Sequence, residues 1–185
     1  MSTPVWTRTW TTASAGQTQA LARRIGRALD AGDVLLLSGG LGAGKTTFTQ
    51  GLGEGLGVRP GIISPTFVLV RIHPNLPTGP RPGGPALVHV DAYRLGSAAE
   101  LADLDLDSSV DEAVTVVEWG EGMAEELSES RLVITLDRAV GTADGGLGRN
   151  VGGDDEGEDA DEEPRTITAV AFGPAWCDRD LGLLS

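Results

Sequence analysis

A three-layer α/β fold, in which a mostly parallel central sheet carries added edge strands, is the fold class that the sequence predicts. Short apolar runs typical of strands alternate with stretches of helical periodicity, and this alternation favours a parallel sheet covered by helices. The 185 residues suit one domain, 1–185, and 40% of them are hydrophobic, which is enough to bury a core.

The first elements surround a glycine-rich loop. Residues 5–11 mix apolar residues with threonine, as expected for an edge strand. A helix follows, because apolar residues recur at helical spacing over 21–29 and Ser14 is placed to cap its start. The apolar run 34–37 predicts a buried strand, the glycine-rich loop comes next, and a second helical stretch ends near 55–57.

The later elements are shorter and are interrupted twice. Residues 74–85 hold five of the ten prolines, so this segment predicts a surface loop. Residues 140–164 are rich in glycine and acids and predict a flexible insertion. The remaining segments predict a strand at 66–72, a strand at 86–91, a weak helix at 98–106, and strands at 114–118, 132–137 and 166–172.

The negative charge is concentrated in the predicted insertion. The formal net charge is −13, and eight of the ten residues between Asp154 and Glu163 are acidic. Because phosphate contacts need clustered arginine and lysine, this balance argues against a large nucleic-acid-binding face. A single cysteine, Cys177, fits a reducing compartment. Since neither a long apolar span nor a leader is visible, we expect a soluble cytoplasmic protein without membrane contact.

Residues 39–46 form a complete P-loop, Gly39-x-x-x-x-Gly44-Lys45-Thr46, between a strand and a helix, which predicts a P-loop NTPase-type fold. The glycines let backbone N–H groups close around a phosphate, and the helix start adds unpaired N–H groups and the positive end of its dipole. We expect Lys45 to reach the β- and γ-phosphates and the Thr46 hydroxyl to bind Mg²⁺. The predicted nucleotide-binding residues of the loop are Gly39, Gly40, Leu41, Gly42, Ala43, Gly44, Lys45, Thr46 and Thr47.

ATP is favoured over GTP as the nucleotide. Lys45 is the only lysine among the 14 basic residues of the chain. Conventional GTPases read guanine with an Asn-Lys-x-Asp loop, and no lysine remains to build one.

Three predicted strands end in an acid, namely Asp91, Glu118 and Asp137. In an open parallel sheet the ligand lies beyond the carboxyl ends of the strands, so each acid could reach a metal ion. Mg²⁺ on a phosphate usually takes only one or two protein carboxylates. Asp137 leads into the acidic insertion and is interpreted as a surface acid. His89, two residues before Asp91, is interpreted as a hydrogen-bonded structural residue.

Four blocks of the sequence together carry a family resemblance. They are Gly-Asp-Val-Leu-Leu-Leu-Ser-Gly with the P-loop, Ser64-Pro65-Thr66-Phe67, His89-Val90-Asp91-Ala92-Tyr93-Arg94, and Val117-Glu118-Trp119-Gly120-Glu121. In order and spacing, across roughly 32–137, the chain resembles the TsaE (formerly YjeE) family, the bacterial P-loop ATPases of tRNA threonylcarbamoyladenosine synthesis. It departs from the residues common in that family at Gly40, Val68 and Gly120.

The resemblance implies a role for each block. Ser64 and Thr66 would sense the γ-phosphate, and Asp91 would orient the attacking water. The implied catalytic residues are Asp91, Lys45 and Glu118, the implied Mg²⁺ ligands are Thr46 and Glu118, and the implied nucleotide contacts outside the P-loop are Thr66 and Trp119.

The implied function is that of a Mg²⁺-dependent ATPase with low intrinsic turnover, for which ATP and Mg²⁺ are the cofactors. It would bind the TsaD–TsaB pair and support modification of adenosine 37 of tRNA, contacting tRNA only through that complex. Two alternatives stay open, a stand-alone P-loop kinase of a small metabolite and a nucleotide-binding switch without meaningful hydrolysis. A kinase usually needs an arginine-bearing lid, and only Arg71, Arg81 and Arg94 lie in suitable regions.

Overall fold

The computed structural model of the chain describes residues 3–104, 106, 110–138, 164–179 and 181, so the expected acidic insertion lies outside the described residues, apart from Pro164. Within those residues, no helix is both long and apolar enough to cross a membrane. The helices are α1 (Ala15–Ala28), α2 (Lys45–Leu56) and α3 (Ala98–Ala102), with short 3₁₀ turns at Glu125–Leu127 and Pro174–Trp176. The strands are β1 (Pro4–Thr12), β2 (Val34–Ser38), β3 (Val70–His73), β4 (Ala86–Asp91), β5 (Ala113–Glu118), β6 (Arg131–Arg138) and β7 (Arg165–Phe172).

One seven-stranded sheet forms the middle layer, in the order β1-β7-β6-β2-β5-β4-β3. The four central strands β6, β2, β5 and β4 are parallel, whereas β7, β1 and β3 run antiparallel to their neighbours. The predicted parallel core with added edge strands is therefore confirmed. Because neighbouring parallel strands end at the same edge, the P-loop after β2 lies beside the end of β5.

Apolar side chains cover both faces of the sheet and give the molecule its three layers. On one face, α1 and α2 cover Leu35 and Leu37 in a core that includes Phe48. On the opposite face, Leu36 packs in a second core with Leu101 of α3. Successive leucines of β2 thus enter different cores, as expected for a central strand that is buried on both sides.

Glycines allow helices α1 and α2 to approach each other closely. A Cβ atom at Gly26 would lie 2.4 Å from the Leu52 carbonyl oxygen, and one at Gly55 would lie 2.2 Å from the Arg23 carbonyl oxygen. Neither position has room for a methyl group. The close contact fixes α2, and therefore the P-loop at its start, against α1.

The segment before β3 differs from the strand expected at 66–72, because β3 begins only at Val70. The Pro65 carbonyl oxygen accepts hydrogen bonds from the N–H groups of Val68 (2.9 Å) and Leu69 (2.7 Å). These bonds fold the chain into a turn, and Leu69 has a left-handed backbone with φ of 65°. The prediction was wrong for this segment because its β-branched composition could not show the turn.

The proline-rich loop 74–85 contains no helix and no extended strand, as predicted, and two side chains hold it in place. The Asn75 side-chain amide donates to the carbonyl oxygens of Leu56 and Arg81, both at 2.9 Å. The Arg81 guanidinium donates to the Leu29 carbonyl oxygen (2.6 Å) and pairs with Asp30.

The helix expected at 98–106 is confirmed only over α3.

Candidate functional site

A cavity of about 450 Å³ opens where the P-loop meets the ends of β4 and β5. In the parallel pairing of these strands Asp91 lies opposite Glu118, so both carboxylates belong to one edge of the sheet. Ser64 and Thr66 reach the same cavity from the turn before β3. The lining residues are Leu41, Gly42, Gly44, Lys45, Thr46, Thr47, Ser64, Thr66, Asp91, Tyr93, Glu118, Trp119 and Arg165.

Two glycines of the P-loop are required by the path of the backbone. Gly39 has φ of 142°, and a Cβ atom there would lie 2.4 Å from the Leu136 carbonyl oxygen of β6. Gly44 has φ of 100° and directly precedes α2. The N–H groups of the first turn of α2 lack intrahelical acceptors. The loop therefore presents hydrogen-bond donors at a helix N-terminus, which is an arrangement suited to phosphate.

The Lys45 ammonium is buried under an indole ring. Its Nζ donates to the carbonyl oxygens of Gly39 (2.8 Å) and Gly40 (3.0 Å) and lies 3.7 Å from the centre of the Trp119 ring. Burial lowers the pKa of Lys45, and the negative charges of Glu118 and Asp91 act in the opposite direction. The P-loop cation is thus held at the cavity by carbonyl oxygens and by an aromatic face.

Glu118 is buried and hydrogen-bonded at one of its two oxygens. Its Oε1 accepts from His89 Nε2 (2.8 Å) and from Thr46 Oγ1 (3.4 Å). The two expected Mg²⁺ ligands, Thr46 and Glu118, therefore lie side by side. His89 is fully buried and hydrogen-bonded, as its interpretation from the sequence expected. Asp137 is exposed and does not line the cavity, as expected of a surface acid.

Asp91 holds the turn that precedes β3. Its Oδ2 accepts hydrogen bonds from Ser64 Oγ (2.8 Å) and Thr66 Oγ1 (2.5 Å), and the two hydroxyl oxygens lie 2.7 Å apart. Its Oδ1 accepts from the backbone N–H of Tyr93 (3.0 Å). A displacement of this carboxylate would therefore move both hydroxyl residues. We call residues 64–69 the switch segment.

Trp119 adopts a backbone conformation that is uncommon for a bulky residue, with φ of 61°. Its N–H donates to the Leu37 carbonyl oxygen at 3.2 Å, and its ring meets the Tyr93 ring at a centroid distance of 5.3 Å. This backbone places the indole over Lys45. A bulky residue keeps this left-handed conformation only where the surrounding structure holds it in place. Such residues are concentrated at functional sites.

Sequence reasoning missed Arg165, which also lines the cavity. It is the first residue of β7, and antiparallel pairing opposite Arg138 brings it to the edge where the P-loop lies. Its Nε donates to the Ala43 carbonyl oxygen at 3.2 Å and lies 3.3 Å from the place that a Gly44 Cβ atom would occupy. No local motif could have indicated it, since its position depends on how β7 pairs with β6.

Comparisons with known proteins agree on one family. A family model described as threonylcarbamoyl adenosine biosynthesis protein TsaE matches residues 12–144. The tRNA threonylcarbamoyladenosine biosynthesis protein TsaE of Streptomyces coelicolor is 49% identical over 166 residues, which are 89% of this chain and 97% of that protein. The protein of the same name from Bacillus subtilis is 39% identical over 131 residues, 70% of this chain and 77% of that protein.

A solved structure shares the fold. The crystal structure of Bacillus subtilis YdiB matches with a TM-score of 0.62 and 32% sequence identity, covering 91% of this chain and 87% of that chain.

Proposed function

Because this chain belongs to the TsaE family of tRNA threonylcarbamoyladenosine biosynthesis proteins, we propose that it is a Mg²⁺-dependent ATPase whose hydrolysis of ATP supports that modification. The observation that carries the proposal is the meeting of Lys45, Thr46, Asp91 and Glu118 at one cavity. We also propose a cytoplasmic location, with tRNA contacted only through partner proteins.

The P-loop supplies the site for the triphosphate. Its backbone N–H groups and the start of α2 receive phosphate oxygens. Lys45 exchanges its bonds to two loop carbonyls for bonds to the β- and γ-phosphates. Arg165, which lines the cavity beside Gly44, adds a second cation next to the same anion.

Thr46 and Glu118 suit a magnesium ion, because a hydroxyl and a carboxylate are the oxygen donors that Mg²⁺ prefers. In the described part of the chain, no group of three or more His, Cys, Asp or Glu side chains could hold a metal by itself. The site therefore fits an ion that takes its other ligands from phosphate and water. When bound, the ion would neutralise negative charge on the phosphates.

Asp91 is the residue that we assign to the attacking water. Its buried carboxylate lines the cavity and is fixed by Ser64 and Thr66. A carboxylate held in this way orients water toward the γ-phosphorus. The new bond forms between the water oxygen and phosphorus while the bond to the ADP oxygen breaks, which yields ADP and inorganic phosphate.

Exposed apolar side chains beside the cavity support a partner-binding surface. Leu41 is 86% exposed and lines the cavity, and Phe67 is 85% exposed and directly follows Thr66. A partner that covers these side chains would contact the switch segment, so its binding would depend on the nucleotide state. We propose that this partner is the TsaD–TsaB pair.

Release of inorganic phosphate from ATP tests the proposal. The purified chain is assayed with ATP and Mg²⁺, alone and with TsaD–TsaB, and we expect slow release that the pair accelerates. Transfer of the γ-phosphate to a metabolite would instead identify a kinase. Binding of ATP without phosphate release under every condition would leave a nucleotide switch.

An exposed substitution tests the partner surface separately. We expect Phe67→Ala to leave basal phosphate release unchanged and to weaken its stimulation by TsaD–TsaB, because the side chain is exposed and does not line the cavity. Ile72→Ala is the matched control, since Ile72 is 61% exposed on β3 outside the switch segment. Equal stimulation of both variants and the unaltered chain would contradict this surface.

A further inference from the structure

We propose that His89 is a positioning residue that orients the Glu118 carboxylate for the magnesium–nucleotide complex, an inference that rests on the proposed function. His89 itself would touch neither metal nor nucleotide, because it does not line the cavity. It would act entirely through its bond to Glu118.

The register of β4 and β5 places the two side chains together. His89 of β4 lies opposite Val116 of β5, and Glu118 follows Val116 by two residues on β5. Because alternate residues of a strand share a face, the imidazole and the carboxylate lie on the side of the sheet that carries α2. His89 Nε2 lies 2.8 Å from Glu118 Oε1.

This bond determines how the carboxylate is oriented. Both residues are almost completely buried, at 0% and 2% exposure. A buried carboxylate needs hydrogen bonds, and the Thr46 hydroxyl, at 3.4 Å, supplies only a long one. The short bond from His89 fixes Oε1. In the described residues no donor reaches Oε2, which leaves that oxygen available at the cavity.

The environment of His89 Nδ1 supports a role for this histidine in the bond to Glu118 rather than in packing. Because the Glu118 carboxylate accepts, His89 Nε2 carries the hydrogen, an assignment based on the hydrogen-bond partner. Nδ1 is buried without a hydrogen-bond partner in the described part of the chain. An apolar side chain would fill the same core position without an unpaired nitrogen, so packing alone does not account for His89.

Substitution at His89 tests the proposal through the Mg²⁺ dependence of nucleotide affinity. The affinity for ADP is measured calorimetrically with Mg²⁺ and with EDTA, and the Mg²⁺ concentration for half-maximal phosphate release is measured in parallel. For His89→Leu we expect unchanged ADP affinity in EDTA and a Mg²⁺ requirement raised about 10- to 100-fold, the usual effect of losing a partner of a metal ligand. His89→Gln, which keeps a side-chain N–H donor, should recover most of the lost Mg²⁺ affinity.

Two controls separate positioning from packing. Val116→Ala disturbs the same core beside His89 and should lower the unfolding midpoint without changing the Mg²⁺ requirement. In a Glu118→Gln background, His89→Leu should have little further effect on the Mg²⁺ requirement. If His89→Leu does not fold, the comparison of His89→Gln with Val116→Ala decides the question.

A Mg²⁺ requirement in His89→Leu equal to that of the unaltered chain would overturn the proposal. An equal loss in His89→Leu and His89→Gln would also overturn it, since it would indicate a packing role. Failure of the proposed function is recognised differently, because the unaltered chain itself would then release no phosphate from ATP, whatever its affinity for ADP.

Discussion

Lys45 and Asp91 line the same cavity but have different surroundings. The Lys45 ammonium is bonded to two carbonyl oxygens of the P-loop, whereas the Asp91 carboxylate is bonded to the hydroxyls of the switch segment. Nucleotide affinity should therefore depend on the lysine, and hydrolysis on the aspartate.

We expect Lys45→Ala to weaken ATP binding by roughly 10- to 100-fold, about 1.4 to 2.8 kcal/mol. Asp91→Ala should bind ATP normally and lose roughly 100-fold or more in the rate of phosphate release. Calorimetry and a phosphate-release assay measure the two effects. Asp137→Ala, which removes an exposed strand-end acid, is the control and should change neither. Normal hydrolysis by Asp91→Ala would refute its role toward water.

We expect His73 to make the stability of the molecule depend on pH. Burial lowers its pKa below the usual 6.5, and the nearby His89 and Arg71 lower it further. As the pH falls through 6.5, the unfolded chain takes up a proton that the folded chain binds less well. The contribution of His73 to stability is therefore present above that pH and is lost below it.

Replacing His73 should remove this dependence. We expect the free energy of unfolding of His73→Gln to decline less between pH 7 and pH 5.5 than that of the unaltered chain. Urea unfolding at a series of pH values gives both curves. Parallel curves over this interval would show that His73 does not titrate differently in the two states.

At the level of elements, the contact between α1 and α2 depends on positions without side chains. Alanine normally stabilises a helix relative to glycine by about 1 kcal/mol. At Gly55 we expect the reverse, a loss of about 1 to 3 kcal/mol, because the added methyl would meet the Arg23 carbonyl oxygen. Gly16→Ala in the first turn of α1 is the control, since its Cβ atom would meet nothing closer than 3.9 Å. Urea unfolding of both variants measures the difference, and equal stabilities would contradict the steric argument.

The elements that could be predicted are those specified by local residues. The apolar run of β2, the glycines of the P-loop and the helical spacing of α1 each carry their own pattern, and the structure confirms them. Ser64 and Thr66 were expected at the site from the family resemblance, but the turn of the switch segment could not be predicted, because the bond that holds it runs from Thr66 to Asp91, 25 residues away. The strand-end acids were recognised, but only the sheet order shows that Asp91 and Glu118 are neighbours.

At the scale of the whole molecule, an ion pair attaches the segment that follows β7 to Asp33, the residue before β2. The Arg179 guanidinium donates to both oxygens of Asp33, each at 2.7 Å, and also to the Ala28 carbonyl oxygen at 2.8 Å. It lies 4.2 Å from the centre of the buried Trp176 ring. The hydrogen bond to Asp33 is the main reason why the pKa of Arg179 is raised.

Breaking this pair should destabilise the whole fold. Asp33 is 5% exposed, so Arg179→Met leaves a nearly buried carboxylate without its two charged donors. We expect a loss of about 1 to 3 kcal/mol in the free energy of unfolding. Arg23→Met removes an exposed pair with Glu54 and should change stability by less than about 0.5 kcal/mol. Similar unfolding midpoints in urea for the two variants would argue against a structural role for the pair.

The order of the strands in the sheet also explains why Arg165 could not be predicted as a cavity residue. Strand order depends on pairing between segments that are distant in the sequence. Strand β7 pairs with β6 although the predicted insertion separates the two strands in the sequence. A residue that follows an acidic stretch has no local feature that would place it beside the P-loop.

The stacking of Trp119 on Lys45 also gives the protein an intrinsic fluorophore at its cavity. Trp6, Trp10 and Trp176 do not line that cavity, so their emission forms a constant background. If a nucleotide phosphate draws the Lys45 ammonium away from the indole, we expect the emission of Trp119 to change. Titration with unlabelled nucleotide, followed by tryptophan fluorescence, therefore yields a dissociation constant without any added dye.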